Sequence, residues 1–212
     1  MQRVAVTGIN GFLGSSLAKR LLTMPGIQII GLVKDRNFKS RRDIQDKCTI
    51  VFGDIRDPQY VNYVVSHYEI DTIFHLAATT ILRQATVDPI TCWQTNVMGT
   101  VNVMEAARTV GKGLVKKILV ASSDKAYGTQ PVLPYLENMA LQAEDPYSTS
   151  KACTDLVARS YAYTYGLDVS VVRAGNIFGS GDLNLSRLIP KTIIKSLRHE
   201  APVLYKGVKD FR

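Results

Sequence analysis

Six short runs of aliphatic and β-branched residues, separated by longer stretches of helical spacing, constrain the fold of this chain most strongly. The runs are nearly continuous in Val, Ile and Leu, whereas a strand with one wet face alternates apolar and polar residues. They therefore predict strands that are buried on both faces. The predicted strands are RVAVTG (3–8), IQIIGLV (27–33), CTIVFGD (48–54), DTIFHLA (71–77), KKILVAS (116–122) and DVSVVRA (168–174).

Helical patterns connect these runs. They cover about 12–23, 58–67, 89–108 and 146–165, and a looser region ends with a helix over 190–197 and a short strand, PVLY. Strand–helix–strand units form right-handed crossovers, which make neighbouring strands parallel. The sequence thus predicts an α/β fold with a doubly wound parallel sheet, whose ligands bind at the carboxyl ends of the strands.

Composition narrows the class of protein. The chain has 212 residues, of which 46% are hydrophobic, as in globular domains. No apolar run approaches the ~20 residues that span a bilayer. The start, MQRVAVTGIN, lacks the apolar core of a signal peptide, so we expect a cytosolic protein without a membrane partner. Cys48, Cys92 and Cys153 form no CxxC pair, which is typical of buried thiols in a reducing compartment.

The formal net charge is +8, and the densest basic cluster is RNFKSRR (36–42). No nucleic-acid motif or aromatic–basic interleaving accompanies it, so we expect no nucleic-acid partner. An anionic small substrate or cofactor fits the charge equally well, and a solvated basic loop remains the alternative.

A glycine triplet follows the first strand and opens the first helix. In TGINGFLG, Gly8, Gly11 and Gly14 have the spacing GxxGxxG. Glycine permits the tight turn, lets backbone N–H groups approach a pyrophosphate and packs the helix closely against the strand. The positive end of the helix dipole faces the phosphates. This context indicates a dinucleotide site, with a purely structural turn as the alternative.

Acidic residues at the next two strand ends bear on which dinucleotide is bound. Asp35 follows the second strand, 21 residues after Gly14, where a carboxylate bonds the ribose hydroxyls of NAD. Arg36 is adjacent, and an arginine there holds the 2′-phosphate of NADP, so we expect NAD and regard NADP as less favoured. Asp54, at the end of the third strand, is expected to face the adenine or to cap the strand.

Tyr147 and Lys151 in PYSTSK have the spacing YxxxK. Residues four apart on a helix share a face. A lysine ammonium beside a phenol favours the phenolate and lowers the tyrosine pKa from about 10. The pair is therefore a candidate proton carrier, with a surface pair as the alternative.

Seven motifs occur in order: TGINGFLG, the GDIRD turn, HLAA (75–78), NVMGT, SSDKAYG, PYSTSK and RAGNIFG. Over essentially the whole chain this pattern resembles the extended short-chain dehydrogenase/reductase family, and within it the nucleotide-sugar epimerases and dehydratases. SSDK, RAGNIFGSGD and RLIP look most like the CDP-glucose 4,6-dehydratase subgroup. The resemblance implies a Rossmann domain over 1–178 and an incomplete substrate-binding region from 179 to 212.

The resemblance also implies roles for particular residues. Ser123 would bond the sugar C4 oxygen, Tyr147 would take the C4 hydroxyl proton, and Lys151 would hold the nicotinamide ribose. Asp124 would be the acid and Lys125 the base of an elimination across C5–C6, although a lysine base demands desolvation or a nearby positive charge. The resemblance implies further cofactor-binding residues: Asn10, Phe12, Leu13, Ile55, Leu76, Ala77, Ala78 and Asn96. Asn96 would either support the site or only pack as a polar residue. Asn176 and Arg187 are the implied substrate-binding residues, and no metal ligand is implied.

Two other functions fit the same residues. If Asp124 and Lys125 form only a solvated ion pair, Ser123, Tyr147 and Lys151 would serve an epimerase or reductase. If the missing carboxyl-terminal part is essential, the chain would be a nucleotide-binding module without turnover. The resemblance further implies a homodimer built on the helices over 89–108 and 146–165.

Overall fold

A six-stranded parallel sheet forms the centre of the computed structural model, which describes residues 1–35, 44 and 46–202. The strand order is β3-β2-β1-β4-β5-β6, and every neighbouring pair is parallel. This confirms the predicted doubly wound sheet. The strands are β1 (Gln2–Thr7), β2 (Ile27–Val33), β3 (Thr49–Phe52), β4 (Thr72–His75), β5 (Lys117–Ala121) and β6 (Val169–Val172).

Helices cover both faces of the sheet. They are α1 (Phe12–Leu21), α2 (Pro58–His67), α3 (Leu82–Val87), α4 (Pro89–Trp93), α5 (Gly99–Arg108), α6 (Pro146–Tyr165) and α7 (Leu188–Leu197). The single helix predicted over 89–108 is wrong in one respect: Gln94–Met98 is a π-helical segment between α4 and α5. Helix α3 was not predicted. The strand predicted at PVLY lies outside the described residues except for its first residue. Arg36 and the whole basic cluster also lie outside them.

The strands divide their side chains between two apolar cores. In β1, Val4 and Val6 belong to the core beneath α1, whereas Ala5 belongs to the core beneath α2, α5 and α6. In β2, Ile29 and Ile30 divide in the same way. All five residues are at most 2% exposed. Strands β1 and β2 are therefore apolar and buried on both faces, as their continuous apolar runs predict. The prediction of burial on both faces is wrong for the edge strands β3 and β6, in which no residue is fully buried.

Proline and capping residues define the boundaries of the longest helix. Asp145 accepts the N–H of Ser148 at 3.0 Å, and Pro146 occupies the first helical position, where no donor is lost. At the other end, Gly166 adopts the left-handed conformation that closes many helices. These signals fix the start of α6, and with it the position of Tyr147.

In the part of the chain that the structure describes, no helix has the length and apolarity of a membrane span. All three cysteines are free thiols. Within the same residues, no three or more His, Cys, Asp and Glu side chains are arranged to hold a metal ion.

Candidate active site

The glycine loop at the carboxyl end of β1 has room for main chain only. Gly8 has φ +70° and its N–H donates to Leu32 O at 3.0 Å. A Cβ on Gly14 would lie 2.3 Å from Gly8 O, and one on Gly8 would lie 3.0 Å from the Cα of Ala77. The spacing of the glycines therefore matches a close approach between the loop, α1 and the segment after β4.

The first turn of α1 offers main-chain donors that no side chain occupies. Its N-cap, Gly11, makes no side-chain cap hydrogen bond, and the first turn contains no acidic residue. Asn10 and Phe12 flank this turn, and Leu13 is partly exposed on it. A glycine-rich loop at the N-terminus of a helix is a cradle for an anion, so these residues fit a pyrophosphate.

The ends of β2 and β3 carry the predicted acidic residues. Asp35 is exposed, two residues after the end of β2. Asp54 accepts Arg56 Nε at 2.8 Å and pairs with Lys34 Nζ at 3.2 Å. Burial raises the pKa of Asp54, but the hydrogen bonds from Arg56 and Lys34 outweigh it and lower this pKa to about 2. Asp54 therefore stays ionised at this edge, and Ile55, only 6% exposed, packs beneath it.

His75, at the end of β4, lies within a hydrogen-bonded chain that fixes the segment Leu76–Ala78. Thr100 Oγ1 donates to Asn96 O at 2.6 Å, so it accepts the Nε2–H of His75 at 3.0 Å. The bare Nδ1 then accepts the hydroxyl of Thr7 at 2.9 Å. The Thr7 oxygen in turn accepts the N–H groups of Leu76 and Ala77, both at 3.0 Å.

This network requires a neutral His75. Its side chain is 3% exposed, and burial together with the charge of Lys151 lowers its pKa from 6.5 to about 3. The histidine thereby connects the end of β1, the segment after β4 and α5, and it makes no contact that would suit proton transfer to a substrate. The sequence signal for this role is the presence of Thr7 and His75, two polar residues, at the ends of otherwise apolar runs.

Asn96 lies in the π-helical segment and supports the same edge. Its Oδ1 accepts Thr79 N at 2.7 Å, and its Nδ2 donates to Thr79 O at 3.1 Å and to Ser150 Oγ at 2.8 Å. Asn96 itself is 1% exposed. The side chain thus fixes the segment that follows Ala78 against α6, which is the supporting role considered from the sequence; a direct cofactor contact remains a prediction.

The end of β5 meets α6 at three consecutive residues. Lys151 Nζ donates to Ala121 O at 2.8 Å, and Ser122 Oγ donates to Lys151 O at 2.9 Å. The side chain of Ser123 is hydrogen-bonded to Tyr147. The structure therefore places Ser123, Tyr147 and Lys151, each at most 8% exposed, together at the carboxyl edge of the sheet.

The pKa of Tyr147 shifts in the direction opposite to the one that the sequence predicted. Burial raises the pKa of Tyr147 above its ordinary value, while the hydrogen bond with Ser123 and the charge of Arg187 act to lower it. The pKa of Lys151 falls to about 8 through burial. The prediction that Lys151 lowers the pKa of Tyr147 is thus wrong for this structure, because Lys151 donates to a main-chain carbonyl and burial dominates at the phenol.

Asp124 and Lys125 follow Ser123 in a 3₁₀ turn, Asp124–Tyr127. The negative charge of Asp124 is close enough to raise the pKa of Tyr147. Both residues line an open groove together with Gly175 and Asn176. The predicted acid, base and substrate asparagine therefore lie along one groove, and Ser123, Tyr147 and Lys151 are not among the described residues that line it.

Arg187 approaches the same edge from the opposite side. Its guanidinium lies 5.7 Å from the ring centroid of Phe12, and its Nη1 pairs with Asp182 at 3.2 Å. Its charge also acts on Tyr147. The structure thus brings the substrate candidate Arg187 between the glycine loop and the phenol.

Sequence reasoning missed a buried cluster behind the turn. Arg173 contacts Asp155 on α6, Tyr127 at the end of the turn, and Glu137 O. An arginine directly after β6 and an aspartate one turn after Lys151 are the only local signals among the described residues.

Comparison with known proteins places these motifs in a family. The family model described as GDP-mannose 4,6 dehydratase matches residues 5–211. CDP-glucose 4,6-dehydratase from Salmonella typhimurium is 34% identical over 100% of this chain and 62% of the relative. UDP-glucose 4-epimerase from Mycolicibacterium smegmatis is 33% identical over 84% of this chain and 56% of the relative. The chain therefore spans about three fifths of the length of these relatives.

A solved structure agrees with the fold in detail. A double mutant of DesIV, a dTDP-glucose 4,6-dehydratase from Streptomyces venezuelae with NAD and DAU bound, superposes with a TM-score of 0.83. It is 30% identical in sequence, and the match covers 97% of this chain and 65% of that chain.

Proposed function

The chain belongs to the GDP-mannose 4,6 dehydratase family, within the extended short-chain dehydrogenases/reductases, and from this premise we propose that it is an NAD-dependent nucleotide-sugar 4,6-dehydratase. The observation that carries the proposal is the three-point junction of β5 and α6, where Ser123, Tyr147 and Lys151 meet. Asp124 and Lys125 follow directly and extend the chemistry from oxidation to elimination.

NAD is the cofactor that the site fits. Gly8, Gly11 and Gly14 would hold the pyrophosphate, because a Cβ at these positions would meet main-chain atoms. Asp35 would bond the adenosine ribose; NADP is the less favoured alternative, since Arg36 follows. NAD, when bound, supplies the acceptor for the hydride from the sugar C4 and returns that hydride to C6.

Ser123, Tyr147 and Lys151 would serve the oxidation of C4. Ser123 donates to the C4 oxygen, and Tyr147 accepts the hydroxyl proton as C4 becomes a ketone. For this role Tyr147 must be a phenolate. The hydrogen bond with Ser123 and the charge of Arg187 favour the phenolate, whereas burial opposes it. Lys151, anchored on Ala121 O, orients the ribose of the cofactor beside Tyr147.

Asp124 and Lys125 would serve the elimination. The 4-ketone acidifies the C5 proton, which Lys125 removes in its neutral form. Asp124 donates a proton to the C6 hydroxyl, which leaves as water. Both side chains line one groove, which supports an acid and a base that act on the same sugar.

The substrate would be a sugar on a nucleoside diphosphate, with CDP-glucose as the specific proposal because a CDP-glucose 4,6-dehydratase is 34% identical. Asn176 and Arg187 would contact the diphosphate, and the net charge of +8 suits an anion. A homodimer through the exposed faces of α4, α5 and α6, and a cytosolic location, complete the proposal.

Epimerisation or reduction of a nucleotide sugar is the second candidate. It is favoured by the 33% identity to a UDP-glucose 4-epimerase, and it needs Ser123, Tyr147 and Lys151 but no acid–base pair. A dinucleotide-binding module without turnover is the third, since it needs only the glycine loop and the first turn of α1.

Product analysis with matched tyrosine variants tests the proposal. The chain is incubated with NAD and CDP-, dTDP-, UDP- or GDP-linked sugars, and the 4-keto-6-deoxy sugar is measured. We expect Tyr147→Phe to abolish product while NAD still binds, and Tyr163→Phe, at a position 94% exposed, to behave as the unmodified chain. A 4-epimer without the deoxy sugar would favour the second candidate, and NAD binding without any product the third. Normal turnover by Tyr147→Phe would refute the site.

A further inference from the structure

Arg173 connects three separate segments behind the candidate site. Its Nε and Nη2 donate to the two carboxylate oxygens of Asp155 at 2.6 and 3.1 Å, a two-pronged pair on α6. Its Nη1 donates at 2.7 Å both to Tyr127 Oη and to Glu137 O. The Tyr127 ring also lies beneath the guanidinium, 4.9 Å from ring centroid to Cζ.

The 3₁₀ turn Asp124–Tyr127 is held at both ends by Arg173 and its neighbour. At the start of the turn, Asp124 N donates to Ala174 O at 3.0 Å. At the end, Tyr127 Oη accepts from Arg173. Asp124 and Lys125, the residues that extend the chemistry to elimination, stand between these two anchors.

We propose that Arg173 is a positioning residue for the elimination: with Asp155 and Tyr127 it holds the turn that carries Asp124 and Lys125 at a fixed distance from Tyr147 and Lys151 on α6. The inference rests on the proposed function for its chemistry. Asp155 lies four residues after Lys151, so its side chain shares the helical face of Tyr147 and Lys151. The guanidinium of Arg173 therefore connects the turn that carries Asp124 and Lys125 to the helix that carries Tyr147 and Lys151.

Burial makes this connection rigid. The side chain of Asp155 is 0% exposed and that of Arg173 13% exposed. The planar guanidinium satisfies two carboxylate oxygens, a phenol and a carbonyl at once, which an ammonium cannot do in the same geometry. Exposed Arg159 lies 3.8 Å from the same carboxylate and adds only a solvated contact.

Two neighbouring phenols provide a matched pair of variants. Tyr127→Phe removes one acceptor of Arg173, the phenol oxygen, but keeps the ring. Tyr135→Phe removes a hydroxyl that donates to Gly128 O at 2.9 Å, from a ring 4.9 Å away, without touching Arg173. Both retain the buried pair of Arg173 with Asp155, whose loss alone endangers folding.

The first readout separates the two chemical stages. In Tyr127→Phe we expect 4-keto-6-deoxy product to form about tenfold more slowly, while sugar-dependent reduction of NAD stays within about twofold, because a small displacement affects Asp124 and Lys125 but not the β5–α6 junction. Tyr135→Phe leaves both stages within about twofold. Arg173→Lys reproduces the defect, and adding Tyr127→Phe to it causes no further loss, because the two residues act as one unit.

The second readout does not depend on turnover. Amide hydrogen exchange over 124–127, which leaves out the Gly128 contact of Tyr135, is compared between Tyr127→Phe, Tyr135→Phe and the unmodified chain. Faster exchange there in Tyr127→Phe alone is the expected result. Equal exchange in both variants, or equal loss of both chemical stages in Tyr127→Phe, overturns the inference. Absence of 4-keto-6-deoxy product from the unmodified chain would instead refute the proposed function, and the exchange comparison would still decide whether Arg173 holds the turn.

Discussion

Buried His75 makes the stability of this chain depend on pH. In the folded chain its pKa falls from 6.5 to about 3, because the ring is buried between Thr7 and Thr100. The unfolded chain therefore binds a proton near pH 6.5 that the folded chain refuses until about pH 3. The folded pKa is the lower of the two, so acidification favours the unfolded chain, and stability falls throughout this window.

The magnitude follows from the width of that window. Below pH 6.5 the free energy of unfolding falls by ~1.4 kcal/mol per pH unit for one such proton. Between about pH 7 and about pH 5 the loss from His75 is therefore about 2 kcal/mol, a large share of the ~5–15 kcal/mol typical of a domain.

Urea unfolding at those two pH values measures this loss. His75→Gln is the test variant, because an amide can donate to Thr100 and accept from Thr7 but does not titrate. We expect its free energy of unfolding to change by about 2 kcal/mol less than that of the unmodified chain. His67→Gln, at an exposed position stacked on Tyr63, is the control and should respond as the unmodified chain. Equal pH responses in all three chains, or an imidazole NMR titration of folded His75 near 6.5, would refute the reasoning.

Three further predictions concern the cofactor loop and the helix face. Gly14→Ala should abolish NAD binding in titration calorimetry, since its Cβ would lie 2.3 Å from Gly8 O; unchanged affinity would contradict the cradle. Asp35→Ala should weaken NAD binding about tenfold and leave NADP nearly unaffected; at least tenfold preference of the unmodified chain for NADP would show the opposite specificity. Leu156→Glu, on a side chain 53% exposed, should convert the proposed homodimer to monomers in sedimentation, and a monomeric unmodified chain would exclude that dimer.

Local signals predicted the parts of the fold that local physics decides. Pro146 and Gly166 mark the ends of α6, and the apolar runs fixed all six strands to within two residues. The π-helical segment escaped prediction because tertiary contacts accompany it: the hydroxyls of Thr100 and Thr154 both donate to the main-chain carbonyl of Asn96. The spacing of apolar residues along a helix does not predict those tertiary contacts.

In the candidate site, too, the features marked by local sequence were predicted and those set by tertiary packing were not. Ser123 and Tyr147 were found because motifs mark them. The raised pKa of Tyr147 was not foreseen, because it depends on how deeply the assembled fold buries the phenol. The cluster of Arg173 escaped because its partners Tyr127 and Asp155 are 46 and 18 residues away along the chain.

The division of β1 between two cores limits how this chain can diverge. Val4 and Val6 face one layer and Ala5 the other, so deleting or inserting one residue would exchange bulky and small side chains across the sheet. Strand lengths are therefore resistant to evolutionary insertion and deletion, whereas segments beyond the strand ends that carry none of the site residues can change in length. New sugar preferences within such a lineage should accordingly arise by remodelling those segments while the sheet is inherited unchanged.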